Sequence, residues 1–588
     1  MKRKTKTFFR AGAQVFLAGI ITFVLILVFQ KPFDTVHHDL RILVTGDVHG
    51  SFFDSTYTSD ALRPSLQNVS YYVDSIRNAE GEGNVLLIDA GDFLQGDNAT
   101  YYYNFVDTLS PHLASRMMSY MGYDAWVVGN HDIEAGHPVF DRVSSELDGC
   151  GIVTLAGNTP GEDGQNYFQE YKIFKKAGLK VLLIGYTNAN IDNWVSKDVS
   201  YGMDFKSIVS LADSRVKALR KRYRPDVVIV AMHSGTGQGD GKSLESEALD
   251  VFNSVEGVDL VIAAHDHSQL TQDRGIPCLL NSGSRAGYLG NCLVSVRKKL
   301  NKKVSVETEV SLIPVKTDRV DSEMLEAFHD DYLKVKEFTV RPVGELEVPL
   351  RSRDSYIGMN DYVNLIHTVQ LKATGADISF AAPLSFNGYV PAGTVVYDDM
   401  FTIYPYENQL FTISLLGKQI KDYLEYSYDM WVGGDDAHIL NIENRPDSRS
   451  GSKRWSFVAR TYNFDSAAGL IYEVFPLNGK GSRVAVKSMA DGSPFDENAV
   501  YKVAVTSYRA NGGGGLLVNG AGIAPEELEG LVVERYKEIR DYVYDYFCAH
   551  DTVRRTDIND ASLIGKWSFE PESVRLRIVR ERDMVFGK

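Results

Sequence analysis

Six short runs in the first half of the chain are continuously apolar instead of alternating with polar residues. They are RILVT (41–45), VLLID (85–89), AWVVG (125–129), VLLIG (181–185), VVIVAM (227–232) and LVIAA (260–264). Val/Ile/Leu-rich runs without alternation predict strands covered on both faces. Helix-length segments separate several of them, including SLQNVSYYVDSIRNA (65–79) and His112 to Gly122. Strands alternating with helices predict a layered α/β domain, here over residues 37–320. From Asp321 the stretch DSEMLEAFHDDYLKVKEF is helical by propensity and polar enough for a solvated connector, giving a linker over 321–341. Beyond it the pattern becomes mixed strands and helices rich in tyrosine and glycine, which predicts a second, α+β domain over 342–588. In its tail, EELEGLVVERYKEIRDYVYDYF has helical spacing and predicts a helix packed on that domain. The mildly basic SLIGKWSFEPESVRLRIVRER near the end is expected on the surface.

The longest apolar run has a different meaning. AGAQVFLAGIITFVLILVF occupies residues 11–29, after a start that carries Lys2, Arg3, Lys4, Lys6 and Arg10. At about 1.5 Å per residue it is roughly 28 Å long, close to the hydrocarbon thickness of a bilayer. Positive charge before the run puts the N-terminus in the cytoplasm and the remainder outside. No small-x-small cleavage site follows. Residues 1–36 therefore predict a cytoplasmic tip and a single transmembrane anchor. The protein is then exported and held at the outer face of the inner membrane or in the periplasm.

Composition narrows the partners. The 588 residues carry a formal charge of −15, which argues against a nucleic-acid polymer while leaving room for a small anionic ligand. The four cysteines form no CxxC pair and no disulfide framework.

The chemistry stands at the strand ends, where ligands of α/β sheets gather. RILVT leads to Asp47 and His49, VLLID to Asp92, AWVVG to Asn130, His131 and Asp132, VVIVAM to His233, and LVIAA to His265 and His267. Imidazole suits zinc, iron, cobalt and manganese, while carboxylate and amide oxygens are harder donors and can bridge two cations. The i, i+2 spacing of Asp47/His49 and of His265/His267 predicts that each pair points one way from an extended segment. A lone histidine after a strand is usually structural, but five endings of this kind together predict a metal centre. GTGQGDGKS (235–243) is not a phosphate-binding loop, because GxxxxGK[ST] needs glycine where Thr236 stands. No GxSxG elbow occurs.

The blocks GDVHG, GDFLQG, GNHDIEAG, MHSG and AHDH resemble the signature of the calcineurin-like metallophosphatases, with Ala264 where glycine is usual. The likeness is strongest to the 5'-nucleotidase branch, which includes UDP-sugar hydrolases and 2',3'-cyclic-nucleotide 2'-phosphodiesterases, and covers roughly residues 40–525. It implies a four-layer β-sandwich flanked by helices, followed by a 5'-nucleotidase C-terminal domain. It also implies two divalent metal ions, of the Zn, Mn, Fe, Co or Mg type. Asp47, His49, Asp92 and His267 would hold one, and Asp92, Asn130, His233 and His265 the other. The implied reaction is attack of a metal-bridged hydroxide on the phosphorus of a nucleotide. His131 would assist the leaving oxygen, oriented by Glu134, with Asp132 the nearer alternative in sequence.

In the second domain the resemblance places the nucleobase between Tyr406 and Tyr508, with Asn408 available to hydrogen-bond it. Two positions depart from the 5'-nucleotidase pattern: Asn387 stands where an arginine is usual and Gly514 where an aspartate is usual. AAPLSFN is closer to the cyclic-phosphodiesterase/3'-nucleotidase wording. The expected activity is a 5'-nucleotidase-type hydrolysis of nucleotides. The alternatives are a 2',3'-cyclic-nucleotide 2'-phosphodiesterase/3'-nucleotidase and a non-catalytic nucleotide-binding protein. A receptor would have no use for His131 beside seven metal donors.

Overall fold

The computed structural model describes residues 35–587, apart from 274, 300–301, 434–436 and 447–452. Residues 11–29, the expected anchor, lie outside the described residues. Among the described residues no helix is long and apolar enough to cross a membrane.

Twelve strands build the first domain. They are β1 (Thr35–Thr45), β2 (Val85–Asp89), β3 (Ala125–Val127), β4 (Val153–Leu155), β5 (Tyr171–Lys176) and β6 (Leu179–Tyr186). β7 (Val227–Met232), β8 (Leu260–Ala263), β9 (Gln269–Asp273), β10 (Cys278–Ser282), β11 (Tyr288–Lys299) and β12 (Lys302–Pro314) complete the set. They form two six-stranded sheets, ordered β12-β11-β1-β2-β3-β4 and β5-β6-β7-β8-β10-β9. All six apolar runs lie in strands. They lack alternation because each has two apolar faces to cover. Ile42, Val44 and Leu86 of one sheet meet Val181, Leu183 and Ile229 of the other in a shared core. On the outer faces, Leu43 and Leu87 pack with Val69, Val73 and Met117 of the helices Leu66–Glu80 and Leu113–Tyr120. Leu182 and Val228 pack with Ala212 and Val216 of the helix Ile208–Tyr223. Helix, sheet, sheet and helix are the four expected layers. The parallel strands β1, β2 and β3 deliver their carboxyl ends to one edge, as do β6, β7 and β8.

The connector differs from expectation. It breaks into two helices, Ser322–Ala327 and His329–Thr339, and is partly buried. Met324, Val335 and Phe338 are buried, and Asp331 takes both guanidinium nitrogens of Arg116 at 2.7 and 2.8 Å. Met324 and Val335 pack against the first domain, and Phe338 packs between Tyr102 of the first and Tyr397 of the second, so the connector is not merely solvated.

The second domain centres on a five-stranded sheet in the order Ser466–Ala468, Ile378–Ala381, Val500–Thr506, Gln409–Leu416, Val532–Glu538. Its last strand corrects the helical expectation for the tail. Val532–Glu538 pairs antiparallel with Gln409–Leu416, because that inner strand has backbone groups to satisfy on its open side. The helix resumes only at Ile539–Cys548. The basic end is also less superficial than expected. Gly565–Phe569 adds parallel to Leu470–Val474 and buries Trp567 and Phe569. The following helix, Glu572–Phe586, buries Ile578 and caps the backbone of Ile439 and Leu440 with Glu581 at 3.0 and 2.8 Å.

Candidate metal centre and substrate cavity

Two groups of donors meet at the strand ends. Asp47, His49 and His267 form one, and Asp92, His233 and His265 the other, with the donor atoms of each within 4.8 Å of one another. Asn130 joins the second group, its Oδ1 lying 3.1 Å from His233 Nε2 and 2.9 Å from His265 Nδ1. Asp92 Oδ2 is 3.0 Å from His233 Nε2, and Asp92 Oδ1 accepts the backbone N–H of His131 at 2.8 Å.

The backbone that presents these groups is not the extended segment that i, i+2 spacing suggests. Asp47, His49, Asp92, His265 and His267 have φ of 49°, 48°, 58°, 75° and 58°. They are five of the ten non-glycine residues with positive φ among the described residues, so the left-handed conformation is concentrated at this site. Such backbone costs about 1–3 kcal/mol per residue and collects at functional sites. The expectation that His265 and His267 point one way is corrected: they fall into different groups, as the resemblance implied.

The donor set suits cations. His49 Nδ1 faces the Gln95 carbonyl at 3.0 Å and His233 Nδ1 the Ala90 carbonyl at 2.9 Å, which leaves each Nε2 lone pair directed inward. His49 Nε2 and His267 Nε2 are 3.0 Å apart. Burial, opposed by His233 and reinforced by Asp92, holds the Asp47 carboxyl well above its ordinary range. Burial also lowers His49 well below its usual value and His267 to about 4. In the group of Asp47, His49 and His267 a buried acid that resists ionisation sits with two imidazoles that resist protonation, and bound cations would supply the missing positive charge.

His131 stands apart from both groups. Its Nδ1 lies 2.6 Å from Glu134 Oε2, so Nε2 is the ring nitrogen left for a substrate. Burial disfavours its charge, but Glu134 and then Asp92 outweigh that and raise it to about 10. Gln95 Nε2 braces Glu134 at 3.3 Å. Asp132 plays a different part. Its carboxylate accepts the backbone N–H groups of Asp92, Phe93, Leu94 and Gly129 at 2.8–2.9 Å. It ties the loop carrying Asp92 to the loop carrying His131.

A cavity of about 500 Å³ opens from His131, His265 and His267 to the second domain, where Tyr406, Asn408 and Tyr508 line it. Tyr462, which the sequence did not single out, lines the cavity and touches both tyrosines. It meets each edge-on, with centroids 6.4 Å apart and planes at 76° to Tyr406 and 83° to Tyr508. Trp194 stacks on His265 at 5.2 Å and 18°. Glu245 of the glycine-rich loop after His233 sets its Oε1 3.1 Å from His265 Nε2. A carboxylate in a loop just after a donor histidine was a usable signal. Arg460 and Tyr462 sit in an aperiodic stretch and gave none.

The two departures find physical reasons. Asn387 does not line the cavity, whereas Arg460 does. At Gly514 φ is +73°, and a Cβ would run into Asn463 Oδ1 and Arg509 Nη1. Arg509 is spent on holding Asp465 at 2.9 and 3.0 Å and the Tyr462 carbonyl at 2.6 Å. Its guanidinium closes the space that an aspartate at 514 would fill. Gly514→Asp is therefore expected to lower stability by about 1–3 kcal/mol through the left-handed backbone and the crowded Arg509. Thermal denaturation checks this, and an unchanged Tm would show that the loop has room.

Residues 40–269 match the family described as calcineurin-like phosphoesterase, and residues 342–519 match the 5'-nucleotidase C-terminal domain. The chain is 24% identical over 583 residues to the trifunctional nucleotide phosphoesterase protein YfkN of Bacillus subtilis, covering 86% of itself and 38% of that protein. It is 23% identical over 543 residues to the 2',3'-cyclic-nucleotide 2'-phosphodiesterase/3'-nucleotidase of Salmonella typhimurium, covering 81% of itself and 82% of that relative. In fold it is similar to a candidate 5'-nucleotidase from Staphylococcus aureus, with a TM-score of 0.75, 20% identity, and 91% and 100% of the two chains covered. A 5'-nucleotidase precursor from Thermus thermophilus shares the fold at a TM-score of 0.60 and 19% identity, again over 91% and 100%.

Proposed function

Because the chain belongs to the calcineurin-like phosphoesterases and carries a 5'-nucleotidase C-terminal domain, which makes it a metal-dependent phosphoric ester hydrolase, we propose that it hydrolyses nucleotides. The observation that carries the proposal is one cavity shared by the donor groups, His131 and the tyrosines of the second domain. Asp47, His49, Asp92 and His267 would hold one divalent ion, and Asp92, Asn130, His233 and His265 the second. When bound, two such ions stabilise charge on phosphoryl oxygens and acidify water. The chain's own residues do the rest. Glu134 keeps the His131 ring oriented with its proton-bearing nitrogen toward the leaving oxygen, a role of general acid catalysis. Asp132 keeps the two loops in register. Tyr406 and Tyr508 take the faces of the base with Tyr462 as the floor, Asn408 meets its edge, and Arg460 adds a positive charge at the rim.

Gly513 packs against one side of Tyr508, where a Cβ would meet the ring at 2.5–2.6 Å. The opposite ring face serves the substrate. Base stacking tolerates any base and is worth about 1–3 kcal/mol. Tyr508→Ala is expected to raise KM for nucleotides about 5- to 150-fold. Hydrolysis of p-nitrophenyl phosphate, which has no base, should fall much less. The test is kcat/KM for 5'-AMP, 3'-AMP, 2',3'-cyclic AMP and p-nitrophenyl phosphate in both proteins. Equal losses on all four would leave Tyr508 a packing residue. A preference for the cyclic and 3'-substrates would favour the second reading, a 2',3'-cyclic-nucleotide 2'-phosphodiesterase/3'-nucleotidase, which the AAPLSFN wording already supports. The reading includes export, with residues 11–29 as an uncleaved anchor; the apolar run and the basic residues before it support this.

A further inference from the structure

The pole of the first domain opposite the metal centre has an unexpected charge. β1 runs past the start of β2, whose pairing begins only at Arg41↔Val85. Its first residues pair with β11 alone, from Thr35↔Lys299 onward. With β12 they form a ribbon whose hairpin carries Arg297, Lys298, Lys299, Lys302 and Lys303. Lys298 Nζ bonds Asp226 Oδ2 at 2.7 Å, and Lys303 Nζ bonds the Asp226 carbonyl at 2.9 Å. Those two bonds stitch the hairpin to Arg224 and to the basic end of the preceding helix, where Lys221 and Arg222 stand. Lys175 of β5 adds to the same end, opposite Lys180, whose backbone N–H bonds Asp226 at 2.8 Å. Glu307, Asp226 and Asp259 take Arg297, Lys298 and Lys303 as ion pairs, and Lys175, Lys221, Arg222, Arg224, Lys299 and Lys302 remain as exposed basic side chains, a local excess of positive charge in a chain of net charge −15. Two large apolar side chains stand exposed on the ribbon as well, Val36 at 51% and Val304 at 61%.

The chain enters the domain at this pole. Only a short stretch separates Phe29, the end of the apolar run, from Thr35. Fully extended it reaches at most about 20 Å. We propose that the β11–β12 hairpin and the adjoining basic residues dock on anionic phospholipid headgroups of the bilayer that holds residues 11–29. The inference rests on the anchor reading above. Lysines and arginines attract an anionic surface within a Debye length, and exposed valines between them suit the interfacial zone. β1 is eleven residues long, roughly 36 Å at strand rise. The docked domain therefore stands upright, with the strand ends that carry Asp47, Asp92 and His265 facing away from the membrane.

The test uses the full metal-loaded chain in vesicles of phosphatidylcholine, with and without phosphatidylglycerol. Amide hydrogen exchange of the hairpin is expected to slow several-fold only when phosphatidylglycerol is present. High salt or the double variant Lys299→Glu/Lys302→Glu should remove the slowing, with p-nitrophenyl phosphate hydrolysis unchanged. Equal exchange in both vesicles overturns the proposal and leaves these lysines as guards of a sheet edge. Carbonate washing tests the anchor separately. If the washed protein stays with the vesicles and exchange is equal, the docking alone has failed. If carbonate releases it, the anchor has failed, and hairpin exchange measured with added vesicles still decides the docking.

Discussion

Replacing Asp92 with alanine is expected to cut bound metal to one ion or none and to reduce phosphoester hydrolysis to background. The proposed two-ion arrangement makes Asp92 the shared donor, while its carboxylate groups directly with His233 and His265; burial pushes that carboxyl up, and His233, then His131 and His49, outweigh it and hold it well below the ordinary carboxylate range. Its own backbone N–H donates to Asp132 at 2.9 Å, which fixes the loop that presents the carboxylate. Removing a buried carboxylate that two cations share takes away several kcal/mol of electrostatic stabilisation. Asp92→Asn keeps the shape and the hydrogen bond to the His131 N–H while losing the charge, and separates metal loss from misfolding. Elemental analysis after desalting, alongside p-nitrophenyl phosphate hydrolysis and a melting curve, reads all three. Two ions retained by a folded Asp92→Asn protein at full occupancy would remove Asp92 from its bridging role.

His131→Ala is expected to keep both ions and to lose about 10²–10⁴-fold in kcat, the usual worth of a positioned general acid. The loss should be larger for a nucleotide, whose leaving alkoxide needs the proton, than for p-nitrophenyl phosphate, whose phenolate leaves without it. Glu134→Gln should move the same way by less, because the 2.6 Å contact with Nδ1 loses its charge while the ring stays. Loss of metal in His131→Ala would make it a ligand. An equal loss on both substrates would make it a binding residue and not an acid.

The choice between Glu134 and Asp132 shows how a site can be half legible. Both carboxylates lie within three residues of His131, and nothing in their order ranks them. The short helix Asn130–Glu134 brings residue i+3 back beside the ring. Its first turn leaves Asp132 facing the backbone of the neighbouring loop, where it accepts three N–H groups, with that of Gly129 in its own segment as a fourth. Arg460 and Tyr462 were beyond reach for a related reason. Each stands in a loop or an aperiodic stretch, and only the facing of the two domains turns them into one cavity wall.

Continuous apolar runs ending in acids, amides and histidines were enough to predict a layered α/β domain with a metal centre, because burial on both faces and metal ligation each demand particular residue types; the four layers and the two ions were implied by the resemblance to the metallophosphatases. The runs alone could not say which histidine joins which group, although the resemblance implied it. That depended on left-handed backbone at His265 and His267, where a positive φ is permitted only because the surrounding loops compel it. Nor could periodicity tell that Val532–Glu538 is a strand, since an open sheet edge recruits backbone and not side chains. Side-chain chemistry is local and is written in the chain. The pairing of backbones and the meeting of two domains depend on residues hundreds of positions apart, and folding alone brings them together.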